Sequence, residues 1–224
     1  KTLLPICHMT FKSEIHIILD QTGRFVGACR DAKVTTIIIP CTEESAGRAS
    51  GIAAHPLCDQ IDYVGGINDD KTAKYLTGLN SWKGTITELN AIYTYVSKKS
   101  MMNDLSNRNI FKDSEYQTSN VGNGHKQLDF EKIRKIGVRF SVQLDTNTIN
   151  VWEHIELRNT WIEHILGNVG GDNSIFDYLS GEVVSQIAAQ HPKNINSYTG
   201  NAKLLSCNDT SGFTFRGRFA SQDD

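Results

Sequence analysis

The sequence is poor in anything that would staple or stiffen a chain. It has 4 Pro in 224 residues, and its 5 cysteines, Cys7, Cys29, Cys41, Cys58 and Cys207, are scattered and include no C-x-x-C pair. An odd, dispersed set argues against a disulfide framework and favours a reducing, cytoplasmic compartment. No apolar run approaches the roughly 18 residues of a membrane span, and no secretory apolar segment opens the chain, so no membrane partner is expected. Charge of one sign is lacking as well. The 23 Lys and Arg against 25 Asp and Glu leave −2, which excludes a uniformly basic coat, so any nucleic-acid site must be a local patch. The 7 histidines form no HExxH, no HxE with PCxxC and no finger spacing, and no GxxxxGK[ST] occurs. No metal, no cofactor and no catalytic residue is expected.

With 39% hydrophobic and 21% charged residues, the chain has the composition of a folded soluble domain, and its length allows one large domain or two small ones. Ile15, Ile17 and Leu19 alternate with His16 and Ile18, then residues 20–23 turn the chain and 25–29 resume the pattern, which predicts a hairpin. The β-branched run 34–39, stopped by Pro40, reads as a strand covered on both faces. Residues 42–66 are small and Gly-rich and read as a loop. Thr85-Ile-Thr-Glu88 matches a capping box, and Ile86, Leu89, Ile92, Tyr93 and Val96 recur at helical spacing, so a helix is expected over 86–97. A second helix over 70–82 carries an interrupting Gly78, and 113–126 has no periodicity and reads as a mobile surface excursion. Val138, Phe140, Val142 and Leu144 alternate with polar residues into a turn and residues 149–151, a second hairpin. Leu157, Trp161, Ile162 and Ile165 mark an amphipathic helix, followed by a strand near 176–179 and a short helix over 182–190. The expected fold class is α+β, a mixed, mainly antiparallel sheet built from hairpins with several packed helices.

The near-neutral total conceals opposite faces. Residues 141–182 hold seven acids against one base, while basic windows lie at 98–112, 126–139 and 193–218. In the last window, FTFRGRF places Phe213, Phe215 and Phe219 on one strand face and Arg216 and Arg218 on the other. Two guanidinium forks in front of an apolar face suit phosphate or guanine edges, and an edge strand guarded by charge accounts for the same pattern. The preceding turn offers Asn208 and Ser211. The 42–51 loop, with its glycines, hydroxyls and Arg48, has the makings of an anion-binding nest.

Three stretches carry a resemblance. TIIIPCTEESAGR over 36–48 with HPLCD over 55–59, VRF over 138–140 with Trp161 and Ile162, and AKLLSCNDTSGFTFRGRF over 202–219 resemble, in the same order, the Csd family, the large subunit of the type I-C CRISPR surveillance complex, Cascade. That family's chains are longer, so the resemblance implies that residues 1–224 are an N-terminal domain cut from a larger protein, with an insertion near 103–130. It implies a non-enzymatic role in antiviral defence: reading the protospacer-adjacent motif of double-stranded target DNA and promoting R-loop formation. The implied partners are guide RNA, other Cascade subunits and a recruited helicase-nuclease; a structural adaptor without motif readout is the alternative. On that basis Arg216 and Arg218 are expected at phosphates or base edges, Asn208 and Ser211 at groove readout, and Lys33, Ser45, Gly47 and Arg48 at a second contact.

Overall fold

The computed structural model describes residues 4–48, 51–118, 126–145, 147–168, 175–177 and 181–184. Strands β1 (His8–Asp20) and β2 (Phe25–Pro40) form one long antiparallel hairpin. Single-turn helices α1 (Glu43–Ala46) and α2 (Ile61–Val64) lead to α3 (Asp69–Trp82), α4 (Thr87–Ser97) and α5 (Met101–Asn107). A 3-10 turn at Asp113–Glu115 precedes the paired strands β3 (Tyr116–Thr118) and β4 (Lys126–Leu128), then α6 (Phe130–Ile133). A second hairpin, β5 (Val138–Gln143) and β6 (Thr148–Asn150), is followed by α7 (Ile155–Asn168) and the small pair β7 (Ile175–Asp177) and β8 (Glu182–Val184).

The main sheet has the order β2-β1-β5-β6, antiparallel except where β1 meets β5 in parallel, so the fold is α+β as expected. A parallel neighbour requires a long crossover, and the helices from α2 to α6 supply it. The register sets Ile15 beside Val138, Ile17 beside Phe140 and Leu19 beside Val142, and all six are fully buried. Each such side chain contributes roughly 1.5–3 kcal/mol of burial. Helix α4 covers this face, and α3 packs on α4 and α7. The α3 stripe of Thr72, Tyr75, Leu79 and Trp82 turns inward, and Trp82 meets Trp161 of α7 edge-on at 5.1 Å. Asn68 caps α3 by accepting from the Lys71 N–H at 3.1 Å, with Asp69 and Asp70 favourably placed in the first turn. Gly78 does not break it.

Several local expectations are corrected. The 34–39 run is not covered on both faces: it continues β2 at the sheet edge, with Val34 51% exposed while Ile37 and Ile39 are buried. Helix α4 starts one residue later than the Thr85–Glu88 capping box requires; Ile86 is its N-cap and no side chain caps it. The 42–66 loop contains α1 and α2, and residues 182–184 form a strand rather than the start of a helix. The 113–118 stretch is tied to the sheet through buried Glu115. Among the described residues no helix is long and apolar enough to cross a membrane.

Two glycines are required by close approach. Gly23, at φ +75°, lies where a Cβ would stand 2.4 Å from the Ala91 carbonyl, so the hairpin turn rests directly on α4. Gly137 precedes β5, and a Cβ there would stand 2.1 Å from the Lys12 carbonyl. Its own carbonyl accepts from the Glu14 and Ile15 N–H groups at 3.0 and 3.1 Å, which holds β1 against the start of β5. Gly137→Ala is expected to destabilise the fold by about 2 kcal/mol or more, because backbone rather than a movable side chain must give way. Urea unfolding checks this; an unchanged midpoint would show that the strands are not held this closely.

Candidate nucleic-acid interface

The edge strand β2 carries a projection that no local pattern announces. Ile15 pairs with Arg30 and Ser13 with Thr35, so Glu14 alone on β1 faces the four residues from Asp31 to Val34 on β2. Extra residues on one strand must bulge, and bulges at edges re-aim side chains. Asp31 is turned back onto the sheet, accepting from the Arg139 guanidinium at 2.7 and 2.9 Å and from the Thr35 hydroxyl at 2.6 Å. The Arg139 hydrogen bonds hold the Asp31 carboxyl below the usual carboxylate range. Arg139 lies 5.2 Å from the centre of the Trp152 ring. On the other side of the projection Arg30 grips Glu115 through both terminal nitrogens, at 2.7 and 2.8 Å, and Glu14 at 2.9 Å. With its base pinned at both ends, the projection shows Ala32, Lys33 and Val34 to solvent. The Lys33 ammonium has no ion pair among the described residues.

Next to Asp31 and Arg139, a chain of hydrogen bonds crosses the sheet. His16 Nε2 lies 2.6 Å from the Ser141 Oγ, Ser141 donates to Asn150 at 2.7 Å, and Asn150 donates to Glu153 at 2.8 Å. Because Ser141 gives its proton to Asn150, it accepts from His16, which fixes the Nε2–H tautomer. Ser141 is fully buried, so the pair orders the sheet and is not a nucleophile with its base. Cys41 and Cys58 are buried, and burial pushes each thiol up to about 12, which makes them inert at neutral pH. Among the described residues no three His, Cys, Asp or Glu side chains converge as a metal site.

Over its described residues 42–48, the 42–51 loop uses its polar groups internally. The Ser45 N–H donates to the Thr42 Oγ1 at 3.1 Å and the Thr42 N–H to the Ser45 Oγ at 2.9 Å, a reciprocal cap with Ser45 buried. The Gly47 N–H donates to the Glu43 carbonyl at 3.1 Å. Arg48 forms a two-pronged pair with Asp59 at 3.0 and 2.9 Å, donates to the Ala53 carbonyl at 2.8 Å and lies 4.4 Å from the centre of the Tyr63 ring. The expected nest of Ser45, Gly47 and Arg48 thus faces its own loop. Lys33 stands on the β2 projection, and none of the hydrogen bonds that close this loop reaches it. Asn208, Ser211, Arg216 and Arg218 lie outside the described residues. Sequence reading missed Glu115 and Asp31, which come to Arg30 and Arg139 from segments 85 and 108 positions away and leave no local signal, and it missed Asp59, eleven positions after Arg48 in the same loop.

Two outcomes follow from these pairings. Arg48→Ala strands a fully buried Asp59 carboxylate and is expected to destabilise by about 3 kcal/mol in urea titrations, whereas Lys33→Ala stays within about 0.5 kcal/mol. Equal effects would contradict the division between strut and free cation. Beside Asp59, burial pulls the His55 imidazole down from 6.5 to about 4. The unfolded chain therefore binds a proton at this site below about pH 6.5 that the folded chain refuses until about pH 4, so stability falls with pH across that window. Replacing His55 by Gln should flatten that part of the stability profile; an unaltered slope would place the protonation elsewhere.

Compared with known proteins, residues 1–224 match the family described as CRISPR-associated protein (Cas_Csd1). No curated protein matches the chain.

Proposed function

Because the chain belongs to the Cas_Csd1 family of CRISPR-associated proteins, which are Cascade subunits, we propose that it reads the protospacer-adjacent motif of duplex DNA and helps to open the R-loop. The observation that carries this reading is the pinned projection on β2. It offers an exposed lysine beside an exposed valine on the strand that forms the sheet edge among the described residues, while Arg30, Arg48 and Arg139 are held by carboxylates. Guide pairing supplies most of the sequence information in RNA-guided complexes, so a protein reader needs only a few groove contacts and phosphate clamps. Lys33 serves as such a clamp: a strongly hydrated point charge on a flexible stem suits phosphate. Arg216 and Arg218 act as the second clamp or as base readers, with Asn208 and Ser211 beside them at the groove. Ser45, Gly47 and Arg48 contribute by giving their loop its shape. Guide RNA, neighbouring subunits of the type I-C complex and the recruited helicase-nuclease are the partners, and the subunit itself performs no chemistry.

Fluorescence anisotropy of the assembled complex on duplexes with correct and scrambled motifs tests the proposal. Lys33→Ala should weaken both duplexes alike and lower the salt slope by about one, as a lost phosphate contact does. Arg216→Ala/Arg218→Ala should narrow the difference between the duplexes if either guanidinium reads a base. Unchanged affinity and slope in both variants would reject motif reading by these residues and favour a structural adaptor.

A further inference from the structure

A cavity of about 440 Å³ opens between α1, α3 and α7, away from the β2 projection. We propose that it is an anchor pocket for an arginine side chain of a partner protein, an inference that rests on the reading that this chain works within an assembly of protein subunits.

The walls fit a flat cation. Trp161 is locked by its Nε1 hydrogen bond to the Cys7 carbonyl at 3.1 Å and by Trp82 edge-on at 5.1 Å, and as a buried ring it gives the cavity a rigid back wall. The half-buried His164 ring lies against it, 5.6 Å away and 30° from parallel, and is the more exposed of this pair of rings lining the cavity. Guanidinium planes stack on such rings and are held by the ring quadrupole. His55 forms part of the inner wall at 3% exposure, and its Nδ1 has no hydrogen-bond partner among the described residues. At the rim, Glu43 makes no ion pair among the described residues, and Glu44 has only Lys74 at 3.7 Å with both side chains exposed. Lys74 also lines the cavity, so two carboxylates against one lysine leave the rim net acidic, which matches the forked donors of arginine.

Gly78 points the same way. It sits inside α3, where alanine would favour the helix by about 1 kcal/mol. No atom lies within 4 Å of where its Cβ would be, so packing does not require glycine. The absent side chain keeps the cavity wall open. A nucleotide is the weaker occupant, because its phosphates would meet Glu43 and Glu44 at the rim. A lysine would fill the site less well, having no plane to stack.

The test uses the full chain assembled with its partner subunits. Glu43→Lys/Glu44→Lys reverses the rim charge at exposed positions, and Gly78→Leu fills the cavity from a helix position with free space around it. Each is expected to leave the thermal unfolding of the isolated chain intact and to weaken subunit association about tenfold or more in sedimentation titrations. In parallel, the Trp161 indole resonance is followed while N-acetyl-arginine amide, its uncharged citrulline analogue or adenosine monophosphate is added. A shift with arginine alone, lost in Gly78→Leu, supports the anchor. Association equal to the wild type in both variants overturns it, and a shift with adenosine monophosphate alone assigns the cavity to a nucleotide instead. Lys33→Ala and Arg216→Ala/Arg218→Ala complexes should assemble normally whichever way the duplex measurement falls, so the two readings fail separately.

Discussion

The buried carboxylate of Asp59 organises the part of the molecule on which both surfaces depend. A carboxylate removed from water is tolerable only when its lone pairs are filled, and here both Arg48 terminal nitrogens and the His55 and Gln60 N–H groups fill them. The same residue's carbonyl accepts from the Val138 N–H at 2.9 Å, at the first residue of β5. One side chain thus folds the loop after α1 back on itself, and one backbone bond fastens that loop to the sheet. The consequences run outward. Arg48 is drawn over Tyr63 of α2, His55 is carried into the wall of the cavity, and α1 is left above α3 with its two glutamates facing solvent.

A second principle is the sorting of cations by burial. Arg30, Arg48 and Arg139 each bind a carboxylate with two nitrogens in sites where little water reaches them. Such pairs add little net stability over an apolar substitute, yet breaking one is costly, so they act mainly to exclude other arrangements. Two of them, through Asp31 and through Glu14, hold the ends of the β2 projection. The cation left exposed there is a lysine, which reaches phosphate without demanding a fixed plane. Rigidity at the base and freedom at the tip suit contact with a polyanion whose exact position varies with the sequence being opened.

Periodicity made the two hairpins and helices α3, α4 and α7 legible, because Ile15, Ile17 and Leu19 repeat every second residue and Tyr75, Leu79 and Trp82 follow one helical face. What it could not convey was neighbourhood. The run ending in Ile39 has the composition of a central strand but lies at an edge, since strand order is decided by the crossover that brings β5 against β1. Helices α1 and α2 are too short for a periodic signature and form because Ser45, Asp59 and Gln60 find tertiary or capping partners. At the candidate site, Lys33 was legible only as a residue type. Its projection exists because four residues of β2 oppose one of β1, and that mismatch appears only once the register is known. Arg48 shows the converse: a basic residue in a Gly-rich loop looks available for phosphate until the carboxylate eleven positions later is found beside it.

The distribution of charge gives the molecule two working directions. An acidic stretch over 141–182 and the α1 glutamates would repel a duplex, whereas the β2 edge offers a lysine with no carboxylate paired to it among the described residues. Repulsion of the wrong partner is as useful as attraction of the right one, because it orients the subunit before any close contact forms. The two proposed contacts would also answer differently to salt. An exposed lysine on phosphate is screened within a Debye length and exchanges with counterions, while a partner arginine seated in the cavity would be shielded from both. On the proposed reading, such a subunit would hold its protein partner under ionic conditions that loosen a contact with DNA, so that target search and release could proceed without dismantling the complex.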